Sequence, residues 1–208
     1  MNRLHALPLT AAFLLVTVAG CGGGAPREPE IDLDAVLSVT MDSLTEMDVA
    51  APREEGRLSV DGTTMIEPDE SETNRLLVGL ADVLETNYNR AEPALFDGDI
   101  TVAAQNDASF VALADTNVNG EPDEGEDALW MIEVDGENAR IVATDRSGAV
   151  NQSGFSGTGL LAGYLLGSML SRQRAAGVNT QALANKRTVS PTQAARARAG
   201  SGSFSRGK

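Results

Sequence analysis

The sequence predicts an α+β fold: two helices with a small antiparallel β-meander, then a short Gly-rich apolar helix and a disordered basic tail. Three observations carry this. Apolar residues recur at helical spacing in two stretches before Pro93. Four short β-rich runs follow, broken by Asn, Asp and Gly. All 30 Asp and Glu lie between Glu28 and Asp145, whereas the chain from Arg146 onward holds nine basic residues and no acidic one.

The first helix begins after Ile31-Asp32-Leu33-Asp34, whose carboxylates suit the positive end of a helix dipole. Ala35, Val36, Leu37, Met41, Leu44 and Met47 form its stripe, and Pro52 is its latest end. Leu58-Ser59-Val60-Asp61-Gly62 reads as a small hairpin, because Asp-Gly suits a tight turn. The second helix has Asp69 and Ser71 as candidate N-caps, with Glu72 three residues after Asp69. Its stripe is Leu76, Leu77, Leu80, Val83 and Leu84, and Pro93 stops it. Strands are predicted at Ile100–Ala104, Phe110–Ala114, Leu129–Val134 and Ile141–Thr144, with Asp135-Gly136 turning between the last two.

Charge divides the chain. The acidic stretch has 30 carboxylates against five Arg, a net charge of −25, within a chain whose overall charge is −14. Such a stretch repels itself at low salt and is stabilised by cations. The basic remainder suits anionic lipid, lipopolysaccharide or the acidic part itself. These readings give residues 31–146 as an acidic α+β domain, 147–156 as a linker, 157–174 as an apolar helix and 175–208 as a disordered tail rich in Ala, Ser, Gly and Arg.

Missing residue types narrow the function. The single His is His5 and the single Cys is Cys21. Beyond residue 21 there is therefore no imidazole or thiolate for nucleophilic catalysis or for a zinc site, and no internal disulfide. No phosphate-binding glycine pattern is present. Paired-carboxylate hydrolysis stays open, but one Trp and two Tyr give few platforms for a sugar cleft. The expectation is that the protein is not an enzyme.

The start of the chain has Arg3, an apolar run from Ala11 to Ala19, and then Val18-Ala19-Gly20-Cys21. This layout is that of a secretory signal peptide over residues 1–20. With its Cys it resembles the lipobox of bacterial lipoproteins. The resemblance implies cleavage before Cys21, lipidation of its sulfur and acylation of the new N-terminus. Two or more acyl chains anchor stably at about 0.8 kcal/mol per buried CH₂. Residues 21–30, with Gly22, Gly23, Gly24, Pro26 and Pro29, then form a tether. Gly22 stands where inner-membrane lipoproteins carry Asp, which implies the periplasmic side of the outer membrane within the bacterial cell envelope.

A second pattern lies between the second and third predicted strands. Residues 115–126, from Asp115 to Glu126, match the EF-hand calcium loop at every required position. Calcium takes six to eight oxygens, and this spacing supplies them: side chains of Asp115, Asn117 and Asn119, the Glu121 carbonyl, Asp123, and both oxygens of Glu126. Gly120 provides the sharp bend. Before the loop Phe110–Ala114 fits a strand or a short helix, and after it Trp130, Ile132 and Val134 alternate as in a strand, so the likeness to EF-hands covers these twelve residues only. A single loop with two Asn implies one weak calcium site, with Kd about 10⁻⁵ to 10⁻³ M, in a structural role. The alternative is an acidic hairpin loop that binds nothing specifically.

Gly159, Gly163 and Gly167 recur every four residues among Leu160, Leu161, Tyr164, Leu165, Leu166, Met169 and Leu170. On a helix they make one smooth face for close packing. Residues 157–170 extend about 21 Å as helix, against a hydrocarbon core of about 30 Å. Three readings compete: self-association or membrane insertion, docking on the protein's own core or an envelope-protein partner, and a flexible segment. Nucleic acid is not an expected partner. The leading expectation is a non-enzymatic, lipid-anchored envelope protein with one structural calcium and a C-terminal segment that contacts membrane or partner. The alternatives are a carboxylate-based hydrolase of envelope polymers and a membrane oligomer built on the glycine stripe.

Overall fold

A computed structural model describes residues 30–50, 70–155 and 164–201. The fold is α+β. Helices α1 (Leu33–Ala50) and α2 (Glu70–Arg90) precede five strands, and α3 (Tyr164–Ala175), α4 (Thr180–Ala184) and α5 (Pro191–Ser201) follow them. The strands are β1 (Ile100–Ala104), β2 (Phe110–Ala114), β3 (Ala128–Asp135), β4 (Arg140–Asp145) and β5 (Val150–Gly154), paired antiparallel in chain order as a meander.

Asp32 starts α1. Its Oδ1 accepts the N–H groups of Asp34 (3.0 Å) and Ala35 (3.1 Å), which have no partner inside the helix. Leu33, Val36, Leu37 and Leu44 then face the core. On α2 the buried stripe is Thr73, Leu77, Leu80, Ala81, Leu84 and Tyr88. Ser71 lies inside the first turn of α2 rather than capping it, while Asp69 and the expected hairpin at 58–62 fall outside the described residues. The two helices are joined by polar bonds as well as by apolar contact. Thr40 Oγ1 and the Tyr88 hydroxyl lie 2.7 Å apart, and Asn87 Nδ2 donates to Ser43 and Glu46.

One face of the sheet meets this helical layer. Trp130, Ile132 and Val134 alternate inward along β3, and Trp130 stands edge-on to Tyr88 with ring centroids 5.2 Å apart. Burial pushes the Tyr88 phenol up to about 12, so it stays a neutral partner of Thr40 at physiological pH.

The C-terminal part differs from expectation. The core cluster runs from Ile31 through Ala149, Phe155, Leu165 and Met169 to Ala194, so the change of charge at Arg146 is not a domain boundary. The expected linker contains β5. Its sequence, Val-Asn-Gln-Ser-Gly, is largely polar, and none of its residues is fully buried. Residues 175–201, expected to be disordered, carry α4 and α5. Leu183 and Val142 are both buried outside the main cluster, and α4 lies against β3.

Polar contacts hold this segment. Arg140 Nη2 donates to the carbonyls of Leu183 (3.1 Å) and Ala184 (3.0 Å), and Lys186 pairs with Glu133. Val150 and Val189 exchange two backbone hydrogen bonds. The Arg140 head is itself fixed by Asp135, 2.7 Å away and 1% exposed. Burial opposes ionisation of Asp135, but hydrogen bonds from Asn138 and Arg140 outweigh it and hold its carboxyl below the usual range.

Candidate calcium loop

The connection from β2 to β3 leaves the sheet where pairing is irregular. Ala112 faces Trp130 and Leu113 faces Ala128, so Leu129 is an extra residue on β3. A bulge of this kind bends the strand and re-aims the chain beyond it. Two backbone bonds close the loop's base: Ala114 N–H to the Asp127 carbonyl and Asp115 N–H to the Asp99 carbonyl, each 3.0 Å. The second ties the loop to the residue before β1.

Asp115 is buried, with 7% of its surface exposed. Its Oδ2 accepts the Gly120 N–H at 2.9 Å and its Oδ1 the Asn119 N–H at 3.3 Å. Gly120 has φ of +72°, a left-handed conformation that costs little without a Cβ, and it folds the chain back over Asp115. Asn117 Oδ1 accepts the Asn119 N–H (3.0 Å), and Asn119 Oδ1 accepts the Glu121 N–H (2.8 Å). These are turns in which a side-chain amide mimics backbone. Both Asn side chains also donate to one oxygen, Asp123 Oδ2, at 2.7 and 2.8 Å.

Glu126 spans the loop. Its Oε1 accepts the Thr116 N–H (3.2 Å) from the first limb, and its Oε2 accepts the Asp123 N–H (3.1 Å) from the second. Thr101 Oγ1 of β1 lies 3.5 Å from the same Oε2. Asp115, Asn117, Asn119, Asp123 and Glu126 are therefore joined in one hydrogen-bonded web, with Glu121 held in it through its N–H.

The donor chemistry fits a hard cation. The side-chain acceptors are carboxylate and amide oxygens, and each oxygen that accepts one N–H keeps a second lone pair. Among the described residues no three of His, Cys, Asp and Glu gather on one point in metal-holding geometry. In the loop, the carboxylates of Asp115, Asp123 and Glu126 each accept N–H donors. The charge of Asp115 reaches α2. Burial pushes the Glu85 carboxyl up, against the Val102 N–H that stabilises its charged form, and the charges of Asp82 and Asp115 push it further.

Sequence reading missed three contributors to the surroundings of this loop: Asp99, Thr101 and Glu85. Thr101 carried a signal, being the one polar residue in the otherwise apolar run of β1. Asp99 acts through its carbonyl and Glu85 from a distant helix, so neither had one.

The other candidate residues divide. Cys21, the tether, Gly159 and Gly163 lie outside the described residues. Gly167 lies exposed on α3, and a Cβ there would meet nothing within 4 Å among the described residues. The apolar face of α3 is spent on the protein's own core. Leu165 and Met169 are buried, Gln173 Nε2 donates to the Val134 carbonyl at 2.9 Å, and a side chain at Gly136 would meet Leu170 at 2.5 Å. Among the described residues no helix is long and apolar enough to cross a membrane. Comparison of the chain with family models, with curated proteins and with solved structures finds no match.

Proposed function

We propose that this is a non-enzymatic lipoprotein of the bacterial cell envelope, held by acyl chains on Cys21, whose acidic α+β domain carries one structural calcium in the loop from Asp115 to Glu126. The observation that carries the calcium reading is the position of Glu126, which bridges both limbs of a loop already turned at Gly120 over the Asp115 carboxylate. When bound, the ion supplies charge neutralisation at three carboxylates. Asp115, Asn117, Asn119, Asp123 and Glu126 hold it through side-chain oxygens, and Glu121 through its carbonyl. Because Asp115 and Glu126 also touch Asp99 and Thr101, the ion fastens β1 to the β2–β3 connection.

The anchor reading rests on the small residues before Cys21 and the apolar run ahead of them. Placement at the outer membrane follows from Gly22, and an envelope protein or anionic lipid is the partner class that suits the exposed basic residues of α5. Calorimetric titration of the full chain with calcium tests the site: one binding event with Kd about 10⁻⁵ to 10⁻³ M is expected, and no saturable heat refutes it. Fatty-acid labelling in a bacterial host tests the anchor: Cys21→Ser removes the label, and retained label refutes lipidation at that residue.

A further inference from the structure

β1 is an edge strand with an uncharged, proline-free, β-prone sequence, Ile-Thr-Val-Ala-Ala. Within it there is neither of the common sequence defences of an edge, a charged residue or a proline. Thr101 and Ala103 pair toward β2, where they face Leu113 and Val111. Ile100, Val102 and Ala104 alternate with them, so their N–H and carbonyl groups turn away from the sheet. In an unguarded edge these are the groups that recruit another strand.

Both groups of Ile100 and the N–H of Val102 are already taken. Asn89 makes a two-way bond with Ile100, accepting its N–H at Oδ1 (2.9 Å) and donating Nδ2 to its carbonyl (2.7 Å). Glu85 Oε2 accepts the Val102 N–H at 3.1 Å. The spacing is matched. Residues four apart on a helix rise about 6 Å, and residues two apart on a strand advance about 6.7 Å. One face of α2 can thus address consecutive outward groups of β1. Asn89 imitates a strand residue by offering both an acceptor and a donor. The opposite edge is met differently, at one residue: both backbone groups of Val150 on β5 are engaged by Val189.

We propose that Glu85 and Asn89 act together as a side-chain substitute for a sixth strand, closing the β1 edge against pairing with a second copy of this chain. A second copy is the fitting occupant because two β1 strands can pair antiparallel, and their five residues carry no charge to oppose it.

The test is residue-resolved hydrogen exchange combined with sedimentation of the full chain. In Glu85→Ala/Asn89→Ala, exchange at Ile100 and Val102 rises about five- to tenfold at low concentration. Thr101 and Ala103, bonded to β2, stay unchanged and report that the fold is intact. Raising the concentration produces a dimer in which the Val102 amide regains protection, because the partner strand supplies the missing acceptor. Glu85→Gln keeps an acceptor and stays monomeric. Asn89→Ala alone accelerates Ile100 and leaves Val102 slow, a pattern readable even if the double variant unfolds. Unchanged exchange at Ile100 in Asn89→Ala overturns the proposal. So does a folded double variant that stays monomeric at every concentration.

Discussion

The acidic loop at 115–126 and the basic segment at 175–201 are both charged and largely surface-lying, yet they are ordered by different means. The loop is organised by itself: Asp115, Asn117, Asn119, Asp123 and Glu126 bond to amides within eleven residues of their own position. The basic segment is organised from afar. Arg140 reaches Leu183 and Ala184, Glu133 meets Lys186, and Val150 meets Val189. Local bonding makes a pattern that can be read from spacing. Long-range bonding leaves no trace in the segment it orders. Charge asymmetry, which suggested separate parts, runs instead across one core that both stretches enter.

The largest expected effect lies at the anchor of the basic segment. Arg140→Ala leaves the buried Asp135 carboxylate without its cation and frees the α4 carbonyls, so unfolding free energy in denaturant falls by about 3 kcal/mol or more. A loss below about 1 kcal/mol would mean that the segment is not held through this residue. Next comes Leu183→Ala, which removes a side chain 5% exposed. A docked segment loses about 2 kcal/mol, whereas a segment detached in solution loses nothing.

Acid sharpens the same comparison. Asp135 is held below the usual carboxylate range in the folded state. Its contribution to stability is therefore complete above about pH 4, the unfolded value, and is lost as pH falls through its folded pKa. Asp135→Asn should flatten this acid limb of the stability curve, and an unchanged limb would assign it to other carboxylates. The smallest effect is at Glu85, whose carboxyl is raised by burial. A raised carboxyl favours the folded state below the unfolded pKa of about 4.3 and loses that advantage as pH rises through its folded value. Glu85→Gln keeps an acceptor for Val102 and removes the charge, so it stabilises the protein at pH 7 by less than about 0.5 kcal/mol. Destabilisation at pH 7 would show that the charge itself strengthens the bond to Val102.

Much of the fold was legible where sequence periodicity and burial agree. β1 and β2 fall at the expected residues because Ile100–Ala104 and Phe110–Ala114 are short, largely apolar runs bounded by Asp99 and Gln105 and by Ser109 and Asp115. β5 was invisible, since an edge strand of Val-Asn-Gln-Ser-Gly has no apolar face to reveal it. α4 and α5 lack a hydrophobic stripe: α4 is held by Arg140 more than forty positions away, and α5 gives the core only Ala194. At the loop, spacing named the six residues that the structure draws into one web. It gave no sign of the support from Asp99, Thr101 and Glu85, because contacts across strands and helices do not follow from order in the chain.

The most direct test of the proposed calcium stabilisation is a thermal melt of the full chain, which keeps β5 and the C-terminal helices in place, in calcium, in magnesium and in chelator, beside Asp115→Ala. At calcium about 100 times the Kd the stabilisation should be near 2.7 kcal/mol, selective over magnesium and absent in the variant. Equal melting of the parent chain in calcium and in chelator would contradict the account and leave the loop an acidic turn held by its own amides.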